Sequence, residues 1–107
     1  MSVRIAQFRQ KLAASPHNDL FRFSLAQSLF ENGEFDEAIT LFFECFEKKP
    51  DWMLVTLFLG KAFIEKDNHQ EAARFLNLTI KTGSSQNHEG PVEEARQLLS
   101  SIERSSQ

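Results

Sequence analysis

Three histidines, one cysteine and a tight run of carboxylates are the residues here that could do chemistry. His17, His69 and His88 would be metal ligands or proton carriers if two of them shared a helix face. None are four apart, and no His-Glu-x-x-His pattern exists. Glu34, Asp36 and Glu37 crowd together, but acids in the first turn of a helix answer its dipole. Cys45 has no second cysteine, which removes disulfides and cysteine-based metal sites and suits a reducing compartment. No glycine-rich phosphate loop and no nucleophile elbow is present. The expectation is a protein without catalysis, metal or cofactor.

The elements that would position any site are helices. Ile5, Phe8 and Leu12 are spaced three and four apart, predicting an amphipathic helix up to Ala14 that Ser15-Pro16 stops. Asn18 caps a second helix with Asp19 in its first turn, and Asn32-Gly33 supplies a left-handed exit after Glu31. A third begins at Glu34, carries Phe35, Ala38, Phe42 and Cys45 or Phe46 on one stripe, and ends at Lys48-Lys49-Pro50. Asp51 is expected to cap the fourth, from Trp52 to Lys66. Asn68 with Glu71 resembles a capping box opening the fifth, which stops near Gly83. After a polar loop, Ser84 to Glu89, Pro91 takes the first position of a sixth helix striped with Val92, Ala95, Leu99 and Ile102. Arg104 and the residues after it should fray. Nothing alternates with a strand period, so the chain reads as all-α.

At 107 residues this is one domain. It has eleven phenylalanines and no tyrosine, which suits a dry core without phenolic hydroxyls to satisfy. A net charge of −3 argues against a nucleic-acid or anionic-membrane surface. The charge is uneven: residues 1–16 hold Arg4, Arg9 and Lys11 and no acid, whereas residues 17–50 are rich in acids. That asymmetry reads as a solvated surface or as a means of steering partners or aligning neighbours. The N-terminus lacks the apolar block of a signal peptide, and no run reaches membrane-spanning length. A cytoplasmic protein is expected.

The chain also repeats itself. Pro16 recurs as Pro50, Leu25-Ala26 as Leu59-Gly60, Ala38 as Ala72 and Phe42 as Leu76, each 34 residues apart, a period that marks a stacked helical array. The stretch Leu25-Ala26…Leu29…Gly33-Glu-Phe35-Asp-Glu-Ala38-Ile39…Phe42…Cys45…Pro50 resembles a tetratricopeptide repeat, and Leu59-Gly60…Phe63…Ala72…Leu76 is a weaker copy. Residues 4–16 match the second helix of a preceding repeat. The expected layout is a half repeat (4–16), repeats at 19–50 and 53–84, and a capping helix (91–104) in a right-handed superhelix of antiparallel helix pairs. The slot that the family fills with a large aromatic holds Arg22 and Thr56. Cys45 takes a small-residue slot and reads as a buried spacer.

The resemblance implies an inner groove for another protein or peptide segment, lined here by Leu20, Phe23, Gln27 and Phe30, then Leu54, Leu57, Lys61 and Ile64, with Phe58 beside them. Two helices apolar over at least half their circumference need cover from neighbouring helices, a guest segment or a second copy of the chain. The family's clamp for a terminal carboxylate uses Lys, Arg and Asn, where this chain has Phe23, Gln27 and Phe58. That disfavours acidic chaperone tails, and the apolar groove instead resembles the secretion-chaperone branch. Leu41 and Phe43 flank Phe42, and with Trp52 they are expected to offer a lateral contact or homodimer patch or to tuck under an adjacent helix.

Overall fold

The computed structural model describes residues 2–105 and shows six helices with no strand among them. They are α1 (Val3–Ala14), α2 (Asp19–Glu31), α3 (Phe35–Lys48), α4 (Met53–Glu65), α5 (His69–Ser85) and α6 (Glu89–Ser105). Consecutive helices touch, and so do α2 with α4 and α4 with α6. The even-numbered helices therefore stand side by side in one row, with the odd-numbered helices behind them. A smallest dimension of 20 Å is two helix diameters, which is the thickness of two such layers.

The caps explain the element boundaries. Asn18 accepts a hydrogen bond from the Phe21 amide at 2.9 Å, and Asn68 accepts one from Glu71 at 3.2 Å, as the sequence implied. Helices α2, α4 and α5 end in one shared turn. The amides of Glu34, Asn68 and His88 reach back to the carbonyls of Leu29, Phe63 and Gly83, across a left-handed Gly33, Asp67 and Asn87.

Three boundary expectations change. Trp52, not Asp51, occupies the start of α4, and no side chain caps it. Helix α5 runs through Gly83 to Ser85, because Gly83 is buried and its bare Cα lets the Val92 side chain approach. With the turn shifted, Pro91 falls at the third position of α6 rather than the first. Arg104 is helical, while the last two residues of the expected frayed end lie outside the described residues.

Small residues sit where helices cross closely: Ala26, Ala38, Ala62 and Ala72 have no exposed surface. Leu29, Leu59, Phe42 and Phe75 fill the spaces around them, all at 0% exposure. Phe75 is boxed by Phe43, Phe46 and Phe63 at ring separations of 5.4–5.9 Å. Cys45 is fully buried as the spacer its slot implied, and desolvation pushes its thiol up to about 11.

The two slots that lack the aromatic anchor are filled by polar groups. Thr56 and Thr79 share a buried hydrogen bond of 2.8 Å that joins α4 to α5, and the hydroxyl that accepts in this pair donates to a carbonyl of its own helix, Met53 for Thr56 or Phe75 for Thr79. Arg22 is buried among Asp19 (3.2 Å), Glu44 (3.3 Å) and the Pro16 carbonyl, with Lys48 also on Asp19. Removing Arg22 takes the partner from Glu44, one of two partners from Asp19 and the donor from the Pro16 carbonyl. Arg22→Ala is expected to cost about 2–3 kcal/mol in urea unfolding, below the loss at a fully dry pair because Glu44 keeps partial access to water. A loss under about 0.5 kcal/mol, the range of an ordinary surface substitution, would show the cluster to be incidental.

The uneven charge is used within the chain. Arg4 meets Glu31 at 3.1 Å, and Arg9 grips Glu37 through both nitrogens, so basic α1 is latched to α2 and α3. The hydrogen bond from Arg9 is the main reason that the Glu37 carboxyl lies below its ordinary range.

Candidate functional site

The row α2–α4–α6 presents the inner face. Phe23 stacks on Trp52 at 5.0 Å and meets Phe58 edge-on at 5.9 Å, while Phe30 meets Phe58 at 5.4 Å. These contacts run in the same order along both helices, so α2 and α4 point the same way. Phe58 lies flat on Phe42 at 5.3 Å, which anchors the wall to the core. Phe23, Phe30 and Phe58 are therefore half-buried and build the face more than they offer themselves to a guest.

What the face leaves open is at one end. Leu20 and Leu54 hold the second position of α2 and α4 and are 67% and 42% exposed. Beside Leu54 is a cavity of about 330 Å³ lined by Asp51, Trp52, Met53, Leu54, Gln86, His88 and Pro91. It forms because the start of α4, the α5–α6 turn and the start of α6 converge. The sequence pattern did not reveal this pocket, since placing the end of α5 at Gly83 moved Gln86 and His88 into a loose loop. Its one legible signal was Trp52 beside Leu54 at a helix start.

The other expected lining residues separate. Leu57 does not line the groove: it is 2% exposed and packs with Ala95 and Ile102 under α6. The 34-residue register placed it correctly on the inner side, but α6 covers that side. Ile64 is partly buried and packs against the same cluster, as Leu98 and Leu99 of α6 also do. Lys61 rests over the Phe58 ring at 5.1 Å and pairs with Glu94 of α6, so it ties α4 to α6. Gln27 is half-buried on α2. Thus α6 fills the Leu57 part of the groove and leaves the Leu20–Leu54 part open.

The expected lateral patch is divided. Trp52 belongs to the inner aromatic wall, Phe43 packs on Phe63 and Phe75, and Leu41 lines a shallow hollow with Leu12 and Leu25. Leu41 and Phe43, two apart on α3, face different neighbours as that spacing requires, and Trp52 stands apart from them at the start of α4.

No group of three or more His, Cys, Asp or Glu side chains placed to hold a metal ion exists among the described residues. Also among them, no helix is long and apolar enough to cross a membrane. What this face can do is bury apolar side chains and orient polar ones.

A family model described as tetratricopeptide repeat matches residues 1–102. The solution structure of protein BPP2914 from Bordetella parapertussis superposes with a TM-score of 0.86 at 21% identity, covering 98% of this chain and 91% of that one. The TPR2B domain of yeast Sti1, solved as a complex with pHsp70, gives 0.85 at 18% identity, covering 94% and 81%. A tetratricopeptide repeat domain protein from Salinibacter ruber gives 0.74 at 22% identity, covering 83% and 90%. No curated protein sequence matches the chain.

Proposed function

The chain belongs to the tetratricopeptide-repeat family, and from that premise we propose that it is a non-catalytic interaction module that holds an apolar segment of another protein on its inner face. The observation that carries this reading is the pairing of Leu20 and Leu54, exposed at the same position of adjacent helices, with an open apolar-walled cavity beside Leu54. Two exposed leucines cost solubility, and a bound guest would shield them. The yeast Sti1 domain, of the same fold, was solved with a protein-derived partner, which supports the general role.

The reading is closer to a chaperone-like holder than to a carboxylate clamp, because Phe23, Gln27 and Phe58 occupy the places where the clamp has cations and amides. Self-association through Leu41, Phe43 and Trp52 is less favoured now that those three face different neighbours. The lone buried Cys45 fits a reducing, cytoplasmic setting.

The test is capture of partners from host lysate by the wild type, by a Leu20→Glu/Leu54→Glu variant and by Val3→Glu, which alters an exposed apolar residue on α1. The double variant should lose about ten-fold or more of each partner captured by wild type, equal to at least ~1.4 kcal/mol of binding, while Val3→Glu retains it. Full capture by a folded double variant would remove the inner face as the site.

A further inference from the structure

The charges around the inner face narrow the guest. Helices α2 and α4 each end in a glutamate, Glu31 and Glu65, and neither has a basic residue in its last turn. A carboxylate at the negative end of a helix dipole is locally unfavourable. Helices α1, α3 and α6 instead carry Lys11, Lys48 and Arg104 there. Helix α5 also lacks one, and within the inner row α2 and α4 differ in this from α6.

Nearby cations are already engaged. Lys61, one turn before Glu65 on the same side of α4, is bound to Glu94. Lys66 is bound to Asp36 at 3.0 Å, and Arg4 meets Glu31 through an exposed contact. Glu65 is exposed and has no ion pair among the described residues. At the opposite end, Lys49 sits over the Trp52 ring at 5.6 Å, and Asp51 in the cavity wall has no ion pair among the described residues. Unpaired carboxylates therefore stand at both ends of α4 among the described residues, Asp51 beside the cavity and Glu65 at the far end. Leu54 and Glu65 are eleven residues apart on α4, about 16 Å at 1.5 Å per residue.

Resting on the reading of the inner face as a docking site, we propose that its occupant is a cationic amphipathic peptide segment. One large apolar side chain enters the cavity walled by Trp52, Met53, Leu54 and Pro91. A lysine or arginine about 16 Å away along α4 meets Glu65. An acidic or neutral segment would bury the same apolar surface but would leave Glu65 unrelieved.

Three short synthetic peptides test this. They share one tryptophan-and-leucine stripe and differ only in having lysine, glutamine or glutamate at every polar position. Fluorescence titration should rank lysine over glutamine over glutamate, with about ten-fold or more between the extremes. The gap should close at about 1 M salt, where the screening length falls to ~3 Å, and should narrow in a Glu65→Gln variant whose circular dichroism matches wild type. Leu54→Ser should weaken all three peptides alike. Equal binding of all three, or preference for glutamate, overturns the charge assignment and leaves the apolar docking face standing. Failure of every peptide to bind overturns the docking face and this inference with it.

Discussion

Phe42→Ala is expected to lose about 3–5 kcal/mol of stability, the largest effect of any single truncation in the chain. Phe42 is fully buried and touches both layers: Phe58 lies flat on it at 5.3 Å, and Phe23 meets its edge at 5.7 Å. Those two rings form the wall of the inner face, so the cavity left behind would loosen α2 against α4 as well as unsettle α3. A domain of this size has only ~5–15 kcal/mol to lose, so the variant should be marginal at room temperature. Urea unfolding followed by circular dichroism gives the number. A loss below about 1.5 kcal/mol would mean that the neighbouring rings collapse into the space, against the low end of measured Phe→Ala costs.

Gly60→Leu should be the second most damaging change, by crowding rather than by a void. A Cβ at Gly60 would stand 2.6 Å from Leu76 Cδ2 and 2.7 Å from its Cγ, with the Ala72 carbonyl at 3.5 Å. Leu76 has no exposed surface, so it cannot swing clear, and the added isobutyl group must push α4 from α5. The expected cost is about 3 kcal/mol, the upper part of the range for overpacked cores. Gly60→Ala is the informative companion. Its Cβ already meets the two leucine carbons at 2.6 and 2.7 Å, so the about 1 kcal/mol regained in helix propensity offsets only part of the crowding, and a net loss of about 1–2 kcal/mol is expected. Equal stability for the leucine variant and wild type would show that α4 and α5 separate freely. The account of this crossing would then fail.

Much of the architecture was legible because each piece had a local cause. The Asn18 and Asn68 caps, the Gly33 turn and the alanine spacers were readable from residue type and position, and the structure places them as expected. The turn after α5 was not, because Gly83 looks like a helix terminator and instead is a contact residue pressed by Val92. The true left-handed residue is Asn87, four positions later. That shift created the cavity near Leu54, the part of the site the sequence hid.

The inner face was legible by register but not by exposure. The 34-residue period assigned Leu20, Leu54 and Leu57 to one side, and they differ only in what comes over them. Leu20 and Leu54 lie at helix starts, Leu54 in the wall of the cavity that the start of α6 completes, whereas Leu57 lies under the body of α6. Periodicity gives direction, but cover depends on contacts between elements far apart in sequence. The same limit divided Leu41, Phe43 and Trp52, and it hid the latching of basic α1 onto Glu31 and Glu37.

The central claim is that the row α2–α4–α6 receives the partner at its Leu20–Leu54 end. Amide chemical-shift mapping during titration with the lysine-bearing peptide tests it most directly. The largest changes are expected at Leu20, Phe23, Trp52, Leu54 and Glu65, with α1 and the outward sides of α3 and α5 nearly still. Changes centred on α1, α3 or α5, with Leu20 and Leu54 unmoved at saturation, would contradict it.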